Sequence, residues 1–203
     1  MIEFVIGSSL AASAGLNAWM PLLLLGLADR LIPAVQLPAG WSWLSGDAAL
    51  WIIGVLLVLE IVADKIPALD SLNDIVQSLL RPASGGIAFG AGASARTVAV
   101  EDPSAFFSDS AWVLIAVGIG IALAVHVVKA VGRLAANSVT GGLAAPALSA
   151  AEDAASFLLA VAAIVVPVLA VVLLIGLVVA AATTVRRRRA RRGTAPGASP
   201  AAS

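Results

Sequence analysis

Two sets of charged residues lie inside otherwise apolar stretches of this chain, and both recur at helical spacing. The first runs Glu60, Asp64, Lys65, Asp70, Asp74, Gln77 and Arg81. Glu60 and Asp64 are four residues apart, so a helix puts both carboxylates on one face. Asp70, Asp74, Gln77 and Arg81 form one polar stripe opposite Leu72, Ile75, Val76, Leu79 and Leu80. The second set, His126, Lys129, Arg133 and Asn137, has offsets of 0, 3, 7 and 11, again one helix face. A cationic stripe turned toward lipid would cost about 2.5–3.5 kcal/mol per charge at the bilayer centre. The two sets therefore predict a pairing, with Glu60, Asp64, Asp70 and Asp74 as the acidic partners. Together they make a polar cluster suited to an ion or small solute. Anchoring at span ends is the competing account of Lys65, Arg81, Lys129 and Arg133, whose long stems reach the interface. His126 is either a satisfied core histidine or a proton-responsive group.

Composition sets the class that must position these residues. The 203 residues are 61% hydrophobic and 12% charged, with mean hydropathy +1.04, where soluble domains average about 25% charged. This predicts an all-α integral membrane protein, a polytopic helical bundle. The absence of cysteine excludes disulfides, thiolate metal sites and a Cys nucleophile, and a single histidine excludes a multi-His metal centre. No cofactor is expected. There is no Gly-x-Ser-x-Gly elbow, no P-loop and no Ser/His/Asp arrangement in recognisable context, so no enzyme is expected. An intramembrane hydrolase pairing His126 with Glu60 or Asp64 is the remaining catalytic reading. The N-terminus lacks a basic n-region, so its first apolar run is expected to stay as a membrane helix.

About six apolar segments follow. Residues 4–32 read as one span, kinked at Pro21 or broken at Asn17 and Pro21. Residues 33–47 form a loop whose Trp41 and Trp43 suit an interfacial belt. Residues 48–66 are the second span. Pro67 and Pro82 bound a separate amphipathic interfacial helix over 70–81. The small-residue segments 83–100 and 138–152 either cross or re-enter, with Gly85, Gly86, Gly141, Gly142 and Pro146 as hinge or broken-helix positions. Residues 111–136 and 154–182 are clear spans. Ser8–Ala14, Gly85–Ala91 and Gly141–Ala147 resemble one another, and an acidic pair follows two of them, Glu101-Asp102 and Glu152-Asp153. That is either an internal repeat of three hairpins or shared Ala/Gly composition.

Six of the twelve basic residues lie in Arg186–Arg192. A basic run just past a span places the C-terminus in the cytoplasm, both termini inside and the acidic loop 101–109 outside. Anionic lipids explain such a run better than nucleic acid does. The domain division is a transmembrane domain over 1–185 and a basic, disordered cytoplasmic tail over 186–203.

Three segments carry a family resemblance: Ser13–Leu22, Glu60 through Asp64-Lys65-Ile66-Pro67 to Asp70, and Arg81-Pro82-Ala83-Ser84-Gly85-Gly86. They resemble the bacterial membrane family catalogued as domain of unknown function 4126, over roughly residues 5–180. The resemblance implies an integral protein of the bacterial inner membrane and supplies no activity. The expected function is a small permease or channel-like transporter of an ion or small solute. A non-transporting scaffold or lipid-interacting subunit is the alternative. Membrane lipids are the expected partners, and a homo-oligomer would help so thin a bundle enclose a pathway.

Overall fold

The computed structural model describes residues 1–103 and 111–193, with the side chains of 67–74, 111, 181, 184, 185 and 187–193 outside that description. Among the described residues the regular structure is helical: α1 (Ile2–Leu16), α2 (Met20–Leu31), α3 (Asp47–Ala63), α4 (Pro67–Ser94), α5 (Ala111–Thr140), α6 (Ala145–Val165) and α7 (Pro167–Gly193). A single 3-10 turn, Ser42–Ser45, precedes α3.

Contacts along the helices fix their directions. Gly7 of α1 lies against Phe89 and Ala93 of α4, and Ala11 O lies against Gly85, so α1 and α4 are antiparallel. Ser78 faces His126 and Gly85 faces Gly118 and Ala122, so α4 and α5 are antiparallel too. Ser13 and Ser156 exchange hydrogen bonds with each other's backbone, and Asn17 beyond the end of α1 bonds Asp153 earlier in α6, which sets α6 antiparallel to α1. The bundle thus has a loop end, where α4 finishes and residues 95–103 lie. Its other end, the turn end, carries the α3–α4 and α5–α6 connections.

The first two helices form a hairpin, broken at Asn17 and Pro21 as the second of the two expectations had it, rather than one kinked span over 4–32. α1 starts at the loop end. Just after α2, Gln36 exchanges backbone hydrogen bonds with Arg96 of that same end, at 3.0 and 2.9 Å. The two arms have 15 and 12 residues, about 22 and 18 Å at 1.5 Å per residue, short of a hydrocarbon layer of about 30 Å. The break has a local cause. Asn17 is extended (φ −142°), and its Oδ1 accepts the backbone N–H of Trp19 (3.2 Å) and Met20 (3.0 Å). This caps α2, and Pro21 sits in the first turn, where its missing N–H costs little.

Three other boundaries move. Pro82 lies inside α4 and does not end it, so the separate helix over 70–81 is replaced by one helix over Pro67–Ser94. A proline within a helix costs roughly 3 kcal/mol or more, and here the following half of α4 is wedged between α1 and α5. Gly85 and Gly86 are accordingly contact positions and not hinges: a Cβ on Gly85 would meet Ala122 Cβ and lie 2.9 Å from Gly118 O. Segment 138–152 is no separate element. It ends α5, turns through Gly141 (φ +61°) and Gly142 (φ +89°), and starts α6 with Pro146 in the first turn. Pro167 splits the expected span over 154–182 into α6 and α7. α7 continues through the arginine block to Gly193, because Arg and Ala are strong helix formers. The tail's residues 194–203, and 104–109 of the acidic loop, lie outside the described residues. The three similar small-residue pieces occupy unlike places: within α1, within α4, and across the α5–α6 turn.

Small residues dominate the interior: Ala11, Ala14, Ala88, Ala91 and Ala122 are fully buried beside Leu10 and Phe89, a packing that lets helix backbones approach closely. Large apolar side chains face outward instead, including Trp51, Val55, Val58 and Leu59 on α3 and Val168, Val172, Ile175 and Val179 on α7. Among the described residues, two helices are long and apolar enough to cross a membrane, within Trp112–Thr140 and Ala145–Val165.

Candidate functional site

The last turns of α3 carry Glu60 and Asp64 inward, where both are buried. Arg81 of α4, fully buried, donates to Glu60 Oε1 through Nε (3.3 Å) and Nη2 (2.9 Å). Its Nη2 is also 3.7 Å from Asp64 Oδ2. On α5, Lys129 Nζ lies 3.4 Å from Asp64 Oδ2 and 3.1 Å from Glu152 Oε2. Arg133 Nη2 lies 3.2 Å from Asp64 Oδ2 and 2.9 Å from Glu152 Oε2, and its Nε donates to Glu152 at 3.0 Å. A last pair, Lys65 Nζ with Asp153 Oδ2 at 3.4 Å, lies nearer the surface. Four cations thus face four carboxylates.

The hairpin tip ends on this cluster. A helix end leaves backbone groups without intrahelical partners, and here charged side chains take two of them. Lys129 Nζ donates to Leu16 O at 2.7 Å, and Ala18 N donates to Glu60 Oε2 at 3.1 Å. Asn17 Nδ2 donates to Asp153 Oδ1 at 3.0 Å. One carboxylate and one ammonium therefore hold both the ion network and the broken backbone.

His126 closes the far edge of the network. Its Nδ1 is 3.0 Å from Arg81 Nη1 and its Nε2 is 3.1 Å from Ser78 Oγ. A guanidinium has no acceptor, so Nδ1 accepts and the ring proton sits on Nε2.

The structure brings together Glu60, Asp64, Lys65, Arg81, His126, Lys129 and Arg133. The side chains of Asp70 and Asp74 lie outside the described residues. Asn137 does not join the ion pairs, and its Oδ1 has no hydrogen-bond partner within the chain. Two details of the expected pairing change. Arg81 is a central partner of Glu60 and no interfacial anchor. Lys129 and Arg133 turn to Asp64 and to a carboxylate the sequence reading had not placed there, Glu152. Asp153 and Ser78 were missed as well. Glu152-Asp153 had stood out as an acidic pair, but only as the marker of a repeat. Its register with Ser149 and Ser156 on one face of an apolar helix was the available signal. Two surface grooves, an apolar one of about 630 Å³ between α2 and α3 and a polar one of about 300 Å³ at the loop end, contain no cluster residue.

These features define an all-helical bundle with a helical hairpin whose tip is held by a buried, charge-balanced cluster. The chain belongs to the family described as domain of unknown function DUF4126, whose model matches residues 4–187. No curated protein and no solved structure matches it.

Proposed function

We propose that this chain is a multi-pass protein of the bacterial cytoplasmic membrane and a small permease or channel-like transporter of an ion or small solute. Helices α3 to α7 make five crossings and α1–α2 re-enters from one side. The support for membrane residence is the inverted distribution of polarity: charges inside, large apolar side chains outside. Arg186–Arg192, Lys65 and Arg133 put the turn end and the C-terminus in the cytoplasm. The loop end and the N-terminus are then outside, which replaces the expectation of two cytoplasmic termini.

The observation that carries the transport reading is the hairpin tip. Non-helical backbone at membrane depth is tolerated where it is buried in protein or lines a water-filled cavity, and transporter sites are often built from such broken helices. Here the tip's Leu16 carbonyl and Ala18 amide are held by Lys129 and Glu60, groups that a passing ion or solute could displace. The cluster is the gate in its closed form. A second reading, a scaffold or lipid-interacting subunit, is favoured by the complete pairing of cations with carboxylates. Flux through proteoliposomes separates them. The wild type is expected to pass at least one of a panel of monovalent ions and small neutral solutes, and Lys129→Gln to change that flux while remaining folded. A wild type that passes none of them leaves the scaffold.

A further inference from the structure

Ala18, just before α2, meets Glu60 near the end of α3, and Arg30 near the end of α2 meets Asp47 at the start of α3, so the two helices are antiparallel. α2 comes close to its neighbours at Gly26, where a Cβ would meet Leu44 O and Leu50. Elsewhere the two helices leave an apolar groove of about 630 Å³ between them, a size within the range of small-molecule sites. Leu23 and Leu27 line it from α2, and Trp51, Val55 and Val58 line it from α3. Gly54 also lines it, and a Cβ there would meet no atom within 4 Å. Along α3 the groove reaches from Asp47 to Leu59, twelve residues, or about 18 Å. One leaflet of hydrocarbon is about 15 Å, half of about 30 Å.

In a bilayer, apolar surface gains little by turning from lipid to protein. An empty groove, however, forfeits the contacts of every side chain that lines it, so hydrocarbon must fill it. Which molecule stays is decided at the polar end. There Arg30 Nη1 meets Asp47 Oδ1, and both heads stay accessible, with side chains 48% and 78% exposed. A guanidinium carries five N–H donors, so this pairing leaves donors for a phosphate. Asp47 keeps its second oxygen for an ammonium. Asp29, next to Arg30, adds a carboxylate whose Oδ1 accepts the Leu37 N–H at 2.7 Å. With one cation and two carboxylates the mouth is net negative, which disfavours a purely anionic headgroup. Trp43, in the turn before Asp47, and Trp51, one turn into α3, are both exposed and mark this level as the membrane–water interface.

We infer that the α2–α3 groove holds one acyl chain of an ammonium-bearing zwitterionic glycerophospholipid, of the phosphatidylethanolamine class, with its phosphate at Arg30 and its ammonium at Asp47. The groove's length matches one leaflet, and its mouth carries the two charges in complement to the headgroup. On the proposed orientation the lipid belongs to the outer leaflet, because Arg30 and Asp47 lie at the loop end. This rests on the membrane reading and not on transport: a permease and a scaffold could hold the same lipid.

The full chain is reconstituted into vesicles of phosphatidylethanolamine and phosphatidylglycerol in equal parts. A trace of one or the other lipid carries a photoactivatable diazirine on its acyl chain, and labelled peptides are located by mass spectrometry. Val168 and Val172, exposed on α7 toward the same leaflet, give the level of unselective lipid contact. The phosphatidylethanolamine probe should label the groove at least about threefold more than the phosphatidylglycerol probe, the scale of one exposed ion pair, while the two label α7 alike. Asp47→Asn should erase that preference. Gly54→Phe, whose side chain enters open space, should bring groove labelling by either probe down to the α7 level. Equal groove labelling of the wild type by the two probes overturns the proposal, as does a groove labelled no more than α7. Groove labelling that falls as protein density in the vesicles rises, with α7 unchanged, overturns it in favour of a second copy of the chain. Label on neither the groove nor α7 removes the membrane reading itself, and the lipid with it.

Discussion

Around Arg81, α4 meets α3 and α5 through charge; one turn later, from Gly85 to Phe89, it meets α1 and α5 through backbone contact. Arg81 and Phe89, one in each stretch, are both fully buried. At Arg81 the neighbours are Glu60, Asp64 and His126, each placed by a specific hydrogen bond or ion pair. At Gly85 they are Gly118 O, Ala122 Cβ and Ala11 O, placed by the lack of a side chain. In hydrocarbon, apolar burial between helices is a weak drive because lipid tails are equally apolar. Polar pairing and close packing of small residues must then hold the bundle, and α4 uses one in each half.

The contrast makes its largest prediction at the charged half. Arg81→Met takes from Glu60 its guanidinium partner while Asp64 keeps Lys129 and Arg133, so unfolding in mixed detergent should show a loss of about 3–5 kcal/mol. A loss below about 1 kcal/mol would mean the cluster is hydrated like a surface pair.

In the packed half the effect is steric. Gly85→Val drives a branched side chain into Ala122 and the Gly118 carbonyl, and overpacking of this kind costs about 1–3 kcal/mol. Gly120→Ala, on the face of α5 turned away from α4 and toward open space, should be neutral or stabilising by about 0.5–1 kcal/mol. Equal effects in the same assay at the two positions would mean that close packing at Gly85 does not hold α4 against α5.

A smaller change is expected at the hairpin tip. Asn17→Ala removes the cap of α2 and the bond to Asp153, for about 0.5–2 kcal/mol. If the tip belongs to the gate, this variant alters proteoliposome flux more than its stability loss accounts for. A stability loss with unchanged flux assigns Asn17 to folding alone.

The charged half was legible because helical spacing is strict. Glu60 with Asp64, and His126 with Lys129 and Arg133, announce their faces from the sequence, and the cost of bare charge in lipid forces them inward. The packed half was misread for a physical reason: glycine pairs and a proline signal breaks by local propensity, and only the neighbouring helix shows whether a glycine is a hinge or a contact. Pro82 ended the expected helix on the same local grounds, while tertiary packing carried α4 through it. Glu152 escaped because its partners come from α3 and α5, and no spacing within α6 names them. The break at Asn17 and Pro21 was legible as one of two readings, but the return of the chain was not, because 4–32 has the length of a span and the Gln36–Arg96 pairing that brings its ends together lies outside it.

The central claim is that Glu60 and Arg81 form the core of the buried cluster, and a double-mutant cycle addresses it directly. Glu60→Gln and Arg81→Gln are combined and compared with Glu60→Gln combined with Arg133→Gln, which share no direct contact. The account predicts a coupling of about 1.5–3 kcal/mol for Glu60 with Arg81, within the range for residues of one network, and a clearly smaller value for Glu60 with Arg133. Additivity within about 0.5 kcal/mol for Glu60 with Arg81 would contradict it.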